Sequence, residues 1–161
     1  MTDKLNLSSR RFAIWMGVAG LVVIADQVTK YAVIQYIELY GRIPLNEFLT
    51  LTHQRNTGVA FSLFADMNAR WFLVALALLV SAYITWWLWS IRKEGPMVVA
   101  AGLSLVLGGA VGNMIDRALL GYVTDFIQVW FGNWAFPSFN VADSAITVGA
   151  ALLIIDSLFL S

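Results

Sequence analysis

Two carboxylates in this chain stand in sharply different surroundings. Asp125 lies in Val123-Thr124-Asp125-Phe126, a β-prone run with apolar flanks, where a nearby low-dielectric surface raises a carboxyl pKa. Asp143 follows Asn140 by three residues at the start of a long apolar stretch, where a helix N-terminus stabilises negative charge. One group biased toward protonation and one toward ionisation are what hydrolysis by a shared-proton pair requires: one takes a proton from water while the other donates to the amide. Each aspartate also has a plainer explanation, Asp125 as a turn or cap residue and Asp143 as a helix N-terminal cap.

Further ionisable and amide groups occur inside apolar sequence, where each costs several kcal/mol unless paired or hydrated. Asp26 and Lys30 are four apart, so on a helix they share a face and form an acid-before-base pair; the pair either makes insertion tolerable or anchors a neighbouring loop. Asn113 and Asp116 share a face at i, i+3, and Arg117 beside them favours a structural ion pair with Asp116. Asp116 nonetheless competes with Asp125 as a reacting carboxylate. Gly108-Gly109-Ala110-Val111-Gly112 contains a G-x-x-x-G spacing, read as close helix packing. The chain has one histidine, His53, read as a hydrated loop residue, and no cysteine. Thiolate nucleophiles, disulfides and a zinc site of His or Cys ligands are therefore excluded.

The elements that must position these groups are membrane spans. Of 161 residues 60% are hydrophobic and 12% charged, outside the range of a soluble domain. Four stretches approach the roughly 20 residues needed to cross about 30 Å of hydrocarbon: 12–37, 71–91, 97–115 and 141–160. The expected fold is an all-α membrane protein, a single domain over 1–161 with four transmembrane helices. A small β-like cradle is expected over 39–65, where Leu49 and Leu51 alternate with Thr50 and Thr52 and Asn56-Thr57-Gly58 supplies turn chemistry. The segment 118–140, with Gly121, Gly132 and Pro137 between aromatic residues, reads as loop or interfacial structure, and 128–136 carries no assigned role.

Lys4, Arg10, Arg11, Arg92 and Lys93 flank one side of these spans, against Arg42, Arg55, Arg70 and Arg117 on the other, which favours cytoplasmic termini. Trp86, Trp87 and Trp89 before Arg92 support the same boundary. Asp26, Lys30, Asp116 and Asp143 then gather toward the outer face. Asp156, about 20 Å along the helix from Asp143, belongs to the other end and is expected to reach the headgroups. Zero net charge and no basic run argue against nucleic acid.

Five motifs occur in order: Asp26-Gln27-Val28-Thr29-Lys30; Asn56-Thr57-Gly58-Val59-Ala60-Phe61; the run from Gly108 through Asn113 to Asp116-Arg117; Val123-Thr124-Asp125-Phe126; and Phe139-Asn140-Val141-Ala142-Asp143-Ser144. On these the chain resembles the bacterial lipoprotein signal peptidase (signal peptidase II) family over nearly its whole length. The resemblance implies hydrolysis of diacylglyceryl-modified prolipoproteins just before the lipidated cysteine, in the bacterial inner membrane with the site toward the periplasm. It implies no cofactor and no metal, with membrane lipids and prolipoprotein substrates as partners of a monomer. Its catalytic pair falls on Asp125 and Asp143, with Asp26, Lys30, Asn56, Gly58, Asn113, Asp116, Arg117 and Asn140 as positioning or substrate-contacting residues.

Three other classes stay open on the residues alone. A proton- or ion-coupled transporter also uses membrane carboxylates, although no internal repeat is visible and the charges gather at one end. A metal-dependent hydrolase could use Asp and Asn oxygens for a hard cation. A non-catalytic membrane subunit is the third.

Overall fold

In a computed structural model, which describes residues 2–58 and 68–160, four helices and a four-stranded antiparallel sheet follow one another as α1 (Thr2–Tyr36), β1 (Arg42–Pro44), β2 (Leu49–Asn56), α2 (Asn68–Ser90), α3 (Met97–Leu120), β3 (Val123–Phe131), β4 (Trp134–Ala135) and α4 (Val141–Ile155). A π-helical turn, Asp156–Leu160, extends α4. All four helices are long and apolar enough to cross a membrane, and the chain is a multi-pass membrane protein. Residues 59–67, which include Val59-Ala60-Phe61 and the end of the expected cradle segment, lie outside the described residues.

α1 and α2 start before, and α3 stops after, the apolar runs that announce them. α1 begins ten residues before position 12 and, at 35 residues, spans about 50 Å, more than the hydrocarbon requires. α3 continues five residues past 115 and stops at Gly121, whose φ of 83° is the left-handed conformation that glycine adopts at helix ends. Polar residues continue these helices because membrane composition marks where lipid ends, not where backbone hydrogen bonding ends.

α3 is the central element. In its most apolar window 56% of residues are buried within the protein, against 11–17% for the other three helices. Its small residues let the neighbours close in. A Cβ on Gly108 would stand 2.6 Å from the Val22 Cβ of α1, one on Gly109 would collide with the Ala142 carbonyl of α4, and one on Gly112 would stand 2.6 Å from Asp26 Oδ2. The G-x-x-x-G spacing thus does serve packing, and its last glycine also makes room for a carboxylate.

The sheet has the order β1-β2-β3-β4 and caps the end of the bundle where α1 and α3 finish and α2 and α4 begin. The segment read as loop or interfacial structure, 118–140, supplies half of it: β3 pairs with β2 from Leu49↔Val129 to Asn56↔Val123 and turns through Gly132 into β4. This assigns 128–136, which no motif covers, to strand and hairpin. The stretch Val123–Phe131 carries six apolar or aromatic residues, one threonine and one amide besides Asp125. Lacking alternation, it reads as unpatterned until a partner strand covers it.

β2 holds a second departure. Its threonines, Thr50 and Thr52, are buried while Leu49 and Leu51 are only partly so, because both faces of the strand are covered. A bulge between Leu51 and Gln54 turns His53 inward, where Nδ1 lies 2.8 Å from the Ile37 carbonyl and the backbone carbonyl accepts from Tyr40 N–H at 2.8 Å. His53 is therefore a buried residue tying the sheet to the end of α1 and not a hydrated loop residue; bulges re-aim side chains in this way.

Candidate active site

Every acidic and amide residue singled out toward the sheet end of the bundle belongs to one connected cluster. On α1, Asp26 and Lys30 are buried and paired, with Nζ 2.8 Å from Asp26 Oδ2. The same Nζ lies 3.1 Å from Asp116 Oδ2 on α3 and donates to Asn113 Oδ1 at 3.0 Å. Asp26 also crosses to α4, accepting from the Ala142 N–H at 2.9 Å. One ammonium thus balances two carboxylates in a place that excludes water, a buried arrangement that depends on each partner being present.

Asp116 is committed elsewhere than to Arg117. Besides Lys30 it accepts from the Thr124 backbone N–H at 3.0 Å and from Gln27 Nε2 at 2.9 Å. The expected Asp116–Arg117 ion pair is absent among the described residues, because on a helix neighbouring side chains diverge by about 100°. Gln27 had no role in the sequence reading. Its Nε2 lies within 3.1–3.2 Å of the Gly112 carbonyl and Asp26 Oδ2 in addition to Asp116, so one amide stitches α1 to α3 beside the ion cluster.

Asn113 and Asn140 carry the connection onward. Asn113 Oδ1 accepts a hydrogen bond from Lys30 Nζ, and its Nδ2 donates to Asp143 Oδ1 at 2.8 Å. Asn140, in extended backbone, caps α4 reciprocally: its Oδ1 accepts from Asp143 N–H at 2.8 Å, and its own N–H donates to Asp143 Oδ2 at 3.1 Å. This is a capping box built with aspartate. The Asn140 Nδ2 donates to Asp125 Oδ1 at 2.8 Å. Asp125 is brought there because Phe139 bridges to β3, its carbonyl accepting from the Phe126 and Ile127 N–H groups. The other oxygen, Oδ2, accepts from Asn56 Nδ2 at 3.2 Å, and Asn56 in turn accepts from Gly58 N–H at 2.8 Å.

Asp125, on the strand outside the spans, is pushed up to about 6 by burial first and by the charge of Asp143 second; hydrogen bonds from Asn56 and Asn140 and the charge of Lys30 act in the opposite sense. The plain reading of Asp143 as a helix cap is correct as far as it goes. The same carboxylate also faces Asp125 across Asn140.

Arg117 is half-buried, feels the charges of Asp143, Asp125 and Asp116, and has a buried Nε with no hydrogen-bond partner among the described residues. Gly58, at φ 78°, is close to it: a Cβ there would lie 3.5 Å from an Arg117 terminal nitrogen. Arg70, counted above only as a flanking charge, closes the α3 terminus by donating to the Arg117 and Ala118 carbonyls at 2.8 and 2.7 Å. Asp156 lies at the opposite end of α4, apart from the cluster as expected, but it is buried instead of reaching outward.

Two pockets open at the two carboxylates. One of about 570 Å³ borders Asp125, Asn56 and Gly58 and has polar walls; the other, about 460 Å³, borders Asp143 and is walled mainly by Phe136, Pro137, Phe139 and Val148. A larger apolar groove between α1, α2 and α3, about 800 Å³, is lined by no ionisable side chain and is separate from this chemistry.

Fold and site together define a membrane-embedded enzyme with four spanning helices and a carboxylate–amide centre under a small sheet. The signal peptidase (SPase) II family model matches residues 18–159. The lipoprotein signal peptidase of Teredinibacter turnerae is 48% identical over 147 residues, 90% of this chain and 87% of that protein. That of Acinetobacter baumannii is 44% identical over 149 residues, 91% and 84% of the two. A solved structure described as a bacterial membrane enzyme determined by the in meso method at 1.9 Å superposes with a TM-score of 0.83 at 31% identity, covering 92% of this chain and 95% of the other. A second, at 2.3 Å, gives 0.79 at 30%. The chain belongs to the signal peptidase II family, the lipoprotein signal peptidases, which are proteases that remove signal peptides from lipoproteins.

Proposed function

We propose that this protein is an aspartic endopeptidase that cuts diacylglyceryl-modified prolipoproteins just before the lipidated cysteine, with Asp125 and Asp143 as its catalytic pair. The observation that carries this reading is Asn140, which hydrogen-bonds both carboxylates at once, Asp125 through its side chain and Asp143 through its backbone N–H. In the reaction Asp125, pushed up to about 6, enters as the acid and Asp143 as the base. Asp143 takes a proton from water, and the water oxygen bonds to the scissile carbonyl carbon while Asp125 protonates the carbonyl oxygen. Collapse of the tetrahedral intermediate breaks the C–N bond as one hydroxyl of the gem-diol returns its proton to Asp125 and the proton held on Asp143 passes to the leaving amine of the cysteine, restoring the starting charge distribution.

Asn56, Gly58 and Arg117 sit on the Asp125 side, where Arg117 Nε and the Asn56 amide are available to substrate carbonyls. Asp26, Lys30, Asn113, Asp116 and Asn140 hold the pair in place. A lipidated cysteine stays anchored in the bilayer, so its scissile bond presents itself at the interface. That matches a site at the sheet end of the spans, in this reading the periplasmic face of the inner membrane with both chain termini cytoplasmic and the protein acting as a monomer without a cofactor.

The test is a gel-shift assay of purified protein in detergent with a diacylglyceryl-modified precursor, comparing wild type with Asp116→Asn, Asp125→Asn and Asp143→Asn, with and without chelator. Chelator-resistant cleavage lost in Asp125→Asn and Asp143→Asn but partly kept in Asp116→Asn supports the assignment. Cleavage surviving in Asp125→Asn moves the pair to Asp116 and Asp143, and loss on chelation points to a metal hydrolase.

A further inference from the structure

The two pockets at the candidate pair differ in chemistry yet share a wall residue, Ser138. On the Asp143 side the wall is aromatic and aliphatic. On the Asp125 side it carries two guanidinium groups, Arg42 and Arg55, with Gln54 and Gln128, and Asp125 at the floor is its one carboxylate. Arg42 is exposed on the edge strand β1. Arg55 is held by its position over the Tyr122 ring, 4.5 Å from the centroid. Gln128 Oε1 is buried with no partner among the described residues, an acceptor placed to take an N–H from a bound backbone.

Given the peptidase reading above, on which this inference rests, the substrate has two unlike ends. The segment before the cut is an apolar signal sequence with a basic start, which remains in lipid; the segment after the cysteine leaves the bilayer. Only the second suits a polar pocket beside the sheet.

We propose that the Arg42–Arg55 pocket receives the residues that immediately follow the lipidated cysteine, and that the two arginines make the enzyme favour acidic over basic side chains there. Asp125 does not cancel this preference, because its two oxygens are engaged by Asn56 and Asn140, whereas neither arginine is paired with a carboxylate among the described residues. An exposed ion pair shifts binding by up to roughly fivefold. Two arginines acting on two substrate positions at a mid-range factor of about threefold each multiply to an acidic-over-basic preference of about tenfold.

The experiment uses the full chain in nonionic detergent with three synthetic diacylglyceryl-cysteine peptides that differ only in the two residues after the cysteine: Asp-Asp, Asn-Asn and Lys-Lys. Values of kcat/KM are measured at low and high salt for wild type, Arg42→Gln, Arg55→Gln and the double variant. The expected result is an order Asp-Asp above Asn-Asn above Lys-Lys with about a tenfold spread, shrinking at high salt as the charges are screened and collapsing toward unity in the double variant. A uniform loss of rate from disturbing Tyr122 leaves the ratio between peptides untouched, so the ratio reports recognition. All three peptides cut equally by wild type, or a spread that persists in the double variant, overturns the inference while leaving the peptidase reading in place. Failure of wild type to cut any of them removes the peptidase reading, and this inference with it.

Discussion

Asn113 donates its side-chain amide to Asp143 Oδ1 at 2.8 Å, and its oxygen accepts from Lys30 at 3.0 Å. The buried ion cluster and the candidate catalytic carboxylate are therefore joined by one planar amide that cannot rotate without breaking one of the two contacts. Asn113→Asp keeps the size and removes the donor, placing a third carboxylate against Asp143. Cleavage is expected to fall by 10² or more, as it does when a positioning contact is misplaced by an ångström. Asn113→Ala is expected to lose less, because it removes the donor without adding charge. Steady-state kinetics of the two variants at matched folding, checked by circular dichroism, decide the point; equal losses would sink the positioning role.

Lys30 is the single cation within 4 Å of Asp26 and Asp116 among the described residues. Lys30→Met leaves two buried carboxylates facing each other, and breaking such a pair by removing one partner costs about 3–5 kcal/mol. The expected outcome is a large drop in the midpoint of thermal unfolding in detergent. Asp26→Asn combined with Lys30→Met is expected to recover part of that loss, since less charge is stranded. A double variant no more stable than Lys30→Met alone would mean that the pair is not coupled.

The pH dependence follows from Asp125. Its pKa rises from 3.8 to about 6 on folding, so between these values the folded protein binds more protons than the unfolded chain. This group's contribution to stability is fully present below pH 3.8 and is lost as pH rises through about 6. Asp125→Asn is thus expected to unfold at a higher temperature than wild type above pH 6, with the gap closing toward pH 4. The pH profile of kcat/KM is expected to fall on its alkaline side as Asp125 loses its proton. Since the Asn56 hydrogen bond favours the charged form, Asn56→Ala is expected to move that limb to higher pH. A limb that stays put or moves down would assign the titration to another group.

Much of this arrangement was legible in the sequence, and the failures share a cause. Four spans, the separation of Asp156 from the cluster, the shared face of Asp26 with Lys30 and the placement of Asn140 three residues before Asp143 are local relations, set by the helical repeat. The partners of Asp116 are not local. Thr124 N–H and Lys30 reach it from other elements, whereas the neighbour Arg117, suggested by adjacency, points elsewhere. The start of β3, Val123 to Phe126, is legible as a β-prone run, but its continuation through Phe131 is not, because a strand covered on both faces has no alternation to read; His53 turns inward because a bulge reverses the facing that a regular strand would give it. Gln27 and Arg70 had no visible signal beyond polarity, since an amide next to Asp26 and an arginine before an apolar helix announce neither a carbonyl nor a helix end as their target.

Arg70 offers a way to separate structure from chemistry. Its guanidinium takes no part in proton transfer here; it satisfies the Ala118 carbonyl at the end of α3, which otherwise lacks a helical partner, and adds a second donor to the Arg117 carbonyl that already accepts from Gly121 N–H. Arg70→Gln is expected to lower the unfolding midpoint by the equivalent of about 1.5–3 kcal/mol, the range for hydrogen bonds to a charged group. KM and kcat at a temperature well below that midpoint are expected to change less than threefold. A large loss of kcat in a fully folded variant would show that the α3 terminus reaches the reaction through Arg117.

Gly112 supplies the strictest test of the packing beneath the site. A Cβ there would stand 2.6 Å from Asp26 Oδ2 and 3.4 Å from the Ala142 Cβ, so Gly112→Ala must displace a carboxylate that already holds Lys30 and the Ala142 N–H. Displacement moves the first turn of α4, and with it Asp143. The expected outcome is a loss of about 1–3 kcal/mol, the usual cost of overpacking a tight interior, together with a fall in kcat larger than the fall in stability explains. Gly20→Ala is the control, because a Cβ at Gly20 meets nothing within 4 Å and alanine is the better helix former. It is expected to leave both quantities unchanged or slightly improved. If Gly112→Ala unfolds and cleaves like Gly20→Ala, the close approach of α3 to Asp26 does not position the pair, and the link from the glycine spacing to the chemistry fails.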